Sequence, residues 1–256
     1  MPAVSVHAVI TGNPDGPVIV LSNSLGTTHR MWDAQLEALE KHFRVVRYDT
    51  RGHGASPVPF GPYTIDDLAD DLVALLDQAG VTRAHLVGLS LGGMTALRVA
   101  ARKPERVDRL AVLCTAADLK PSAAWTERAQ AVRTHGSAAV AAVVVERWFT
   151  SEFLFRHPGL RSSHAAMVAS TSAEGYAACC EAIAGLDLHS DLASIAAPTL
   201  AIAGADDTAT PPARLTEIAD GVQNGKLLVI PDVAHLANVQ RPQVINEAVL
   251  AHLEHA

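Results

Sequence analysis

The sequence predicts an α/β protein in which helices cover a mostly parallel sheet. Short apolar segments rich in β-branched residues alternate with longer helical segments at both ends of the chain. The short segments are apolar throughout, which is typical of strands buried on both faces of a parallel sheet. The 256 residues are 49% hydrophobic and 18% charged, which is enough for a sizeable core and argues against disorder.

Six strands and five helices are predicted by these patterns. The predicted strands, bounded by Gly, Asp or Pro, are Val18–Leu21, Arg44–Tyr48, Ala84–Gly88, Arg109–Cys114, Thr199–Ala203 and Leu227–Ile230. The predicted helices are Met31–Lys41, Ile65–Ala79, Leu91–Arg102, Pro212–Ala219 and Pro242–Leu253. Because strands alternate with helices, the connections are βαβ crossovers, which join parallel strands. Five aspartates crowd the second helix and are expected on a solvated face: Asp66, Asp67, Asp70, Asp71 and Asp77.

The middle of the chain breaks this alternation. Residues 118–192 are Ala-rich and mostly helical in pattern, with Arg and Trp interspersed. The segment Ala138–Val145 has a strand-like composition, but its helical flanks favour a helix. We therefore expect a core domain of residues 1–117 and 193–256, with residues 118–192 forming a helical cap. An insertion between two strands lies beyond their carboxyl ends, where open parallel sheets bind ligands.

Charge and composition exclude several classes of partner. Lys and Arg number 20 against 27 Asp and Glu, and the net charge of −7 argues against nucleic acid. The amino terminus lacks a secretory signal pattern, and the apolar runs are too short to span a bilayer. Cys114, Cys179 and Cys180 form neither a disulfide framework nor a zinc motif. We expect a cytoplasmic protein with free thiols; the sequence carries no signal for its oligomeric state.

Ser90 is the predicted nucleophile. It lies in Gly-Leu-Ser-Leu-Gly, between a predicted strand and a predicted helix. In that context a sharp turn raises the serine hydroxyl above the sheet, and Gly88 and Gly92 let strand and helix approach closely. The helix N-terminus also favours developing negative charge. An ordinary turn with a capping serine is the alternative, and the strand-turn-helix context favours the nucleophile.

A serine nucleophile requires a base, and the base requires an acid that orients it. Where the nucleophile lies on such a strand-turn-helix, the order along the chain is serine, acid, histidine. His235 is the predicted base, because it follows the strand Leu227–Ile230 at the expected ligand-binding edge. His252 and His255 also follow the acid candidates, but they lie in the carboxyl-terminal tail. A histidine on an ordinary surface loop is the alternative interpretation of His235.

Three aspartates are candidates for the orienting acid. Asp207 is preferred, because it directly precedes the entry to the next helix, where the chain can aim a side chain inward. Asp206 is second, since a residue at its position more often forms a turn. Asp118, which follows the strand Arg109–Cys114, is third.

Acyl transfer also requires amide donors for the oxyanion. The backbone N–H of Leu91, directly after the predicted nucleophile, is one expected donor. The second is expected in the loop of residues 22–26, where Ser24 and Gly26 allow a tight turn around Leu25. The backbone N–H groups of Leu25 and Leu91 are therefore the predicted oxyanion donors.

These residues resemble the α/β-hydrolase family across nearly the whole chain, and the 3-oxoadipate enol-lactonases most closely. The stretches similar to enol-lactonases are residues 21–27, 29–32, 147–150, 175–183 and 203–212. Many α/β-hydrolases have His-Gly where this chain has Asn23-Ser24, and this pair resembles the enol-lactonases rather than C–C bond hydrolases. The turn of residues 48–56 resembles a structural turn of the family, so His53 and Asp49 are not expected to be catalytic.

The resemblance implies an α/β-hydrolase fold and a catalytic triad of Ser90, Asp207 and His235. The family acid follows the strand-end Gly204 by three residues, which favours Asp207 over Asp206. The implied reaction opens the ring of 3-oxoadipate enol-lactone, a small anionic substrate of the β-ketoadipate pathway. It implies no metal and no organic cofactor. Haloalkane dehalogenases and epoxide hydrolases have aspartate at the position of Ser90, so neither of these activities is expected.

An anionic substrate needs a local cation in a protein of net charge −7. The cap supplies five arginines, whose guanidinium groups can donate two hydrogen bonds to a carboxylate: Arg128, Arg133, Arg147, Arg156 and Arg161. We favour Arg133 and Arg147 as the residues that bind the substrate carboxylate. Trp125 and Trp148 are expected to form walls of the pocket. The alternative functions are a carboxylesterase or C–C bond hydrolase of the same fold, and a catalytically silent binding protein.

Overall fold

One seven-stranded sheet forms the centre of the molecule, whose computed structural model describes residues 1–254. His255 therefore lies outside the described residues. The strands are β1 Ala8–Gly12, β2 Val18–Ser22, β3 Arg44–Tyr48, β4 Ala84–Leu89, β5 Val107–Leu113, β6 Thr199–Gly204 and β7 Gly225–Ile230. Their order in the sheet is β1-β3-β2-β4-β5-β6-β7, and only β1 runs antiparallel to its neighbour. The predicted mostly parallel sheet is confirmed.

The six predicted strands are confirmed to within two residues at each end. The central strands β2, β4 and β6 are almost wholly buried, which is why their sequences are continuous apolar runs. Strand β1 was not predicted from the sequence, because it lies at the sheet edge and none of its residues is fully buried. Its side chains therefore lack the apolar run that identifies the other strands.

Helices flank the sheet on both faces and fill the long connection between β5 and β6. Within the described residues the α-helices are α1 Leu36–Leu39, α2 Ile65–Gln78, α3 Leu91–Arg102, α4 Ser122–His135, α5 Ala138–Trp148, α6 Ser151–Arg156, α7 Pro158–Ala169, α8 Ala173–Ala184, α9 His189–Leu192, α10 Pro212–Gly221, α11 Ala237–Gln240 and α12 Pro242–Glu254. Short 3₁₀ helices span His29–Gln35 and Pro104–Arg106. None of the described helices combines the length and apolar character needed to cross a membrane.

The predicted helix Met31–Lys41 is wrong in type over its first half. The chain forms a 3₁₀ helix over His29–Gln35 and becomes α-helical only in α1. The carbonyl oxygen of Met31, which an α-helix would use internally, accepts a 2.8 Å hydrogen bond from the Asn238 side chain. The Gln35 side chain returns a 2.9 Å bond to the Asn238 carbonyl. This tertiary contact competes with regular helix hydrogen bonds.

Helices α4 to α9 occupy the whole connection between β5 and β6, and no strand interrupts them in the described chain. Helix α5 includes Ala138–Val145, so the preference for helix over strand there is confirmed. Helix α4 packs against α8, and α5 packs against α7. The domain boundaries at residues 118 and 192 stay a prediction.

The expectation of a solvated acidic face on α2 is wrong for Asp67 and Asp71, which are 3% and 2% exposed. Asp71 accepts hydrogen bonds of 2.5 and 2.6 Å from the fully buried Arg51, and a buried guanidinium requires such a partner. Asp67 forms a capping box with Thr64 at the start of the helix. Asp71 therefore holds the helix to the buried Arg51, whereas Asp67 caps the first turn of the helix.

Candidate active site

The backbone at Ser90 is strained and firmly held. Its φ of 55° and ψ of −117° place a non-glycine residue in a sparsely populated region, between β4 and α3. The Ser90 N–H donates a 2.9 Å hydrogen bond to the carbonyl of Leu113 at the end of β5. The Ser90 carbonyl accepts a 2.7 Å bond from the Thr115 hydroxyl and a 3.0 Å bond from Met94 N–H. These bonds fix the turn against the neighbouring strand.

The glycines around Ser90 are required by close backbone contacts. A Cβ atom at Gly88 would lie 2.2 Å from the carbonyl oxygen of Gly92. A Cβ atom at Gly92 would lie 2.2 Å from the carbonyl oxygen of Ser22, which ends β2. Backbone atoms cannot yield as a flexible side chain can, so both positions demand glycine. The close approach of strand and helix agrees with the sequence interpretation.

His235 and Asp207 form a buried hydrogen-bonded pair. The Nδ1 atom of His235 lies 2.8 Å from Oδ2 of Asp207, and both residues are almost wholly buried. Asp207 also accepts bonds from the N–H groups of Ala209 and Thr210 and, at 2.6 Å, from the Thr210 hydroxyl. Burial alone would raise the pKa of Asp207, but His235 and these hydrogen bonds lower it below its ordinary value. The ionised carboxylate holds the imidazole by Nδ1.

The other two aspartates considered for this role lie elsewhere. Asp206 is exposed, and its N–H donates to the carbonyl of Val233, which is a turn contact. Asp118 is buried but pairs with Arg214 at 3.0 Å and with Lys120 at 3.2 Å. Asp207 is therefore the aspartate that the fold brings to His235. The sequence offered no signal for Thr210, which bonds to the same carboxylate.

The loop after β2 is held on both sides of Leu25. The N–H of Thr27 donates to the Ser24 carbonyl at 3.3 Å, and the N–H of Gly26 donates to Nε2 of His53 at 2.9 Å. Burial lowers the pKa of His53 to about 4, so its ring is neutral and its Nε2 can accept this bond. His53, which was not expected to be catalytic, supports the predicted oxyanion loop.

Asn23 has a structural role in the same loop. Its side-chain N–H donates to the carbonyl of Tyr48 at 2.6 Å, and its side-chain oxygen accepts the indole N–H of Trp32 at 3.0 Å. The residue is fully buried. Asparagine at this position therefore joins the loop after β2 to the end of β3 and to the 3₁₀ helix.

Ser90 and His235 line one cavity of about 220 Å³ beneath the cap helices. Four other residues predicted near the substrate also line it: Leu25, Trp125, Arg147 and Trp148. Further lining residues come from the cap and from the loop after β6, and the polar ones are Lys120, Arg128, Tyr176, Thr208 and Thr210. Arg133, the other favoured arginine, is not among the residues that line the cavity.

Ion pairing separates the cap arginines into two groups. Three of them pair with glutamates: Arg133 with Glu174 and Glu181, Arg156 with Glu152, and Arg161 with Glu146. Among the described residues, Arg128 and Arg147 have no ion pair, and these two line the cavity. The Arg128 guanidinium lies 4.6 Å from the centre of the Trp125 ring. The cavity thus contains two positive charges without a protein counterion.

Tyr176 adds a further polar group to this cavity. Its hydroxyl is buried, and in the part of the chain that the structure describes it has no hydrogen-bond partner of ordinary geometry. Burial raises the pKa of this hydroxyl more than the nearby positive charge of Arg128 lowers it, so the group stays protonated. The Arg128 guanidinium lies close enough to act on this hydroxyl, so the two polar groups face the same part of the cavity.

Gln240, which sequence reasoning missed, joins the His235 loop to the cap. Its side-chain N–H group donates to the hydroxyl of Thr150, at the start of α6, at 2.8 Å. The same nitrogen donates to the carbonyl of Asp232 at 2.9 Å. Its side-chain oxygen accepts the N–H of Ala234 at 3.2 Å. One buried amide therefore fixes the loop on the amino-terminal side of His235.

The fold agrees with the results of comparison with known proteins. Residues 17–242 match the sequence family whose description is "α/β hydrolase fold". The chain therefore belongs to this family of hydrolases. It is 40% identical over 248 residues to 3-oxoadipate enol-lactonase 2 of Acinetobacter baylyi. The aligned region covers 97% of this chain and 92% of that protein.

Two crystal structures give the same result at the level of the fold. The enol-lactonase of Burkholderia xenovorans LB400 is 40% identical, with a TM-score of 0.95 over 98% of this chain and 96% of that one. A hydrolase from Pseudomonas aeruginosa PA01 is 43% identical, with a TM-score of 0.95 over 98% and 95% of the two chains. The predicted fold and the resemblance to enol-lactonases are confirmed.

Proposed function

We propose that this hydrolase opens 3-oxoadipate enol-lactone to 3-oxoadipate, with Ser90 as the nucleophile. The observation that carries the proposal is the pair of arginines without counterions, Arg128 and Arg147, in the cavity lined by Ser90 and His235. A substrate that places an ester bond at Ser90 and a carboxylate at the arginines satisfies both features. The similarity to enol-lactonases over nearly the whole chain supports the same substrate.

In the first step Ser90 is acylated. His235, oriented through Nδ1 by Asp207, takes the hydroxyl proton of Ser90 as the serine oxygen attacks the lactone carbonyl. The backbone N–H groups of Leu25 and Leu91 stabilise the resulting oxyanion. The ring C–O bond then breaks, its electron pair leaves on the enolate oxygen, and the proton held by His235 passes to the enolate, which becomes a ketone and leaves His235 neutral for the next step. An enolate is a better leaving group than an alkoxide, which reduces the need for acid assistance.

In the second step water hydrolyses the acyl-enzyme. His235 takes a proton from the water molecule, whose oxygen attacks the carbonyl carbon bound to Ser90. The tetrahedral intermediate collapses, the serine oxygen leaves and is protonated by His235, and 3-oxoadipate is released. Because ring opening expels no fragment, the whole lactone stays on the enzyme until this step. Besides water and substrate, only groups of this chain act in these steps.

The cap of residues 118–192 would bind the substrate carboxylate. Arg128 is half-buried, whereas Arg147 is exposed at the cavity, so Arg128 has the stronger field in the cavity. The protonated hydroxyl of Tyr176, beside Arg128, can donate a further hydrogen bond. Trp125 and Trp148 form apolar walls. We place the reaction in the cytoplasm, within aromatic catabolism through the β-ketoadipate pathway.

The alternative functions fit the cavity less well. A general carboxylesterase for neutral esters would leave the half-buried Arg128 without a counterion, which is costly for a partly buried charge. A silent binding protein has no need of the strained Ser90 backbone or of a buried carboxylate, Asp207, that orients His235. A C–C bond hydrolase that acts on a dienone acid shares the anionic substrate, and product analysis distinguishes it.

Replacing Arg128 with Met should weaken binding of the lactone selectively. A hydrogen bond to a charged group contributes about 1.5–3 kcal/mol, so KM for the lactone should rise about ten- to a hundredfold. Hydrolysis of the neutral ester p-nitrophenyl acetate should change little, because it has no carboxylate. Steady-state kinetics of both substrates measures the difference.

Arg156→Met is the matched control for this experiment. Arg156 lies in the cap, is exposed and pairs with Glu152, away from the lining of the cavity. The Arg156→Met variant should have the same KM for the lactone as the wild-type protein. Equal effects of Arg128→Met on the charged lactone and the neutral ester would contradict the carboxylate-binding role, although the serine mechanism would be unaffected.

Replacing Gln240 with Glu should slow the reaction while the fold is retained. Glutamate cannot donate to Thr150 and to the Asp232 carbonyl, so the loop that carries His235 loses two restraints. A displaced base lowers kcat, by about tenfold or more, with little effect on KM. The control is Gln243→Glu, the same change at an exposed position of α12. An unchanged kcat in Gln240→Glu would disprove the positioning role.

A further inference from the structure

A cluster of two histidines and one aspartate lies outside the catalytic cavity. It contains His7, which directly precedes β1, His29 at the start of the 3₁₀ helix, and Asp49, which directly follows β3. Nδ1 of His7 is 3.2 Å from Oδ2 of Asp49, and Nδ1 of His29 is 2.9 Å from Oδ1. One ligand atom from each of the three residues falls within 4.8 Å of the others.

The main chain holds all three residues in place. The N–H of Asp49 donates to the His7 carbonyl at 2.9 Å, and the N–H of His7 donates to the Ser56 hydroxyl at 2.8 Å. The N–H of His29 donates to Oδ1 of Asp49 at 2.8 Å, and the N–H of Ala55 donates to Oδ2 at 3.0 Å. The three side chains are therefore brought together before any ligand arrives, which reduces the entropy lost on binding.

We propose that His7, His29 and Asp49 form a binding site for a divalent late transition metal ion, with Zn²⁺ as the representative case. Two imidazole nitrogens and a carboxylate oxygen are common ligands of Zn²⁺ in proteins. Mg²⁺ and Ca²⁺ prefer oxygen ligands, so a site with two histidines should bind them weakly. In the metal-bound form each ring carries its proton on Nε2, so that Nδ1 is free to coordinate. The hydrogen bonds from Nδ1 to Asp49 are then replaced by bonds to the ion.

The exposure of the three residues suits such a site. The His7 side chain is 40% exposed and that of His29 is 18% exposed, whereas Asp49 is buried. An ion can therefore enter from the solvent on the histidine side, and water can complete its coordination. Each carboxylate oxygen of Asp49 keeps one backbone N–H, so its orientation does not depend on the rings.

The site would have a structural role distinct from the proposed lactone hydrolysis. None of its residues lines the cavity that contains Ser90. A bound ion would join the edge strand β1 to the end of β3 and to the segment that follows Leu25. Since the three ligands come from separate segments of the chain, no metal-binding spacing is visible in the sequence.

Calorimetric titration of protein without an affinity tag tests this site. We expect ZnCl₂ to bind the wild-type protein at one site and to raise its thermal unfolding midpoint. His7→Ala should weaken Zn²⁺ binding by at least about tenfold and abolish the rise in the midpoint. His42→Ala is the matched control, because His42 is an exposed histidine that pairs with Glu254 outside the cluster. MgCl₂ should produce no binding heat.

Two outcomes would overturn the proposal. Absence of Zn²⁺ binding by the wild-type protein would mean that the histidines only hydrogen-bond to Asp49. Equal Zn²⁺ affinity in the wild type and in His7→Ala would mean that the ion binds elsewhere. Neither outcome bears on lactone hydrolysis, which is measured separately.

Discussion

Ser90→Ala should abolish turnover and leave the protein folded. Without the serine oxygen no acyl-enzyme forms, and loss of such a nucleophile costs about 10⁴-fold or more in kcat. Folding should be retained, because the turn is held by the backbone N–H and carbonyl of Ser90, which alanine also has. Alanine and serine both carry a Cβ atom, so the strain at φ 55° is unchanged. The rate of lactone hydrolysis and the circular dichroism spectrum measure the two effects.

Ser24→Ala is the matched control, since Ser24 lines the same cavity and the change removes the same hydroxyl group. We expect this variant to keep most of its activity. If folded Ser90→Ala protein still hydrolyses the lactone at a rate near the wild-type value, Ser90 is not the nucleophile. The hydrolytic water would then be activated directly by His235.

The second large effect is expected for Asp207→Asn. Removing the charge that holds Nδ1 of His235 leaves the imidazole in the wrong tautomer, which costs about 10⁴-fold in kcat in enzymes of this type. The introduced amide would also present a weaker acceptor than the carboxylate to the backbone N–H groups of Ala209 and Thr210. A loss of stability is therefore expected as well, and the unfolding midpoint should be measured beside kcat.

Asp206→Asn makes the same chemical change one residue earlier, at an exposed side chain. It should leave kcat within about twofold of the wild type, because surface changes of this kind have small effects. A larger loss of kcat for Asp206→Asn than for Asp207→Asn would reverse the assignment of the acid. Equal losses in both would indicate a disturbed loop rather than a lost charge.

The buried strands and the turn at Ser90 could be predicted because their signals are local. A strand buried on both faces has an apolar sequence, and Ser90 lies between Gly88 and Gly92 in one short motif that directly follows such a strand. Strand β1 has neither signal, since it is half-exposed and pairs antiparallel at the edge. Its position depends on its pairing with β3, which is distant in sequence.

The arginines proposed to bind substrate differ in part from those that the sequence favours, because ion pairing depends on helix packing. Arg133 and Arg128 are both on α4, and nothing in the sequence distinguishes their roles. The packing of α4 against α8 brings Glu174 and Glu181 to Arg133 and leaves Arg128 at the cavity. The proposed substrate site therefore moves from Arg133 to Arg128, with Arg147 retained.

Supporting contacts were missed for the same reason. Gln240 joins a loop to a cap helix at Thr150, and the two residues are 90 positions apart in the chain. His53 accepts a bond from Gly26 only because the turn after β3 folds over the loop after β2. Such polar contacts follow from tertiary structure, and neither residue type nor spacing indicates them.

Specificity of the cavity for an anionic enol-lactone is tested most directly by one comparison of substrates. Purified protein should be assayed with freshly generated 3-oxoadipate enol-lactone and, in parallel, with p-nitrophenyl acetate, and 3-oxoadipate should be identified as the product. We predict a kcat/KM for the lactone about two orders of magnitude or more above that for the ester, because only the lactone engages the cap arginines. Rapid cleavage of the ester with no turnover of the lactone would contradict this specificity and leave a general esterase.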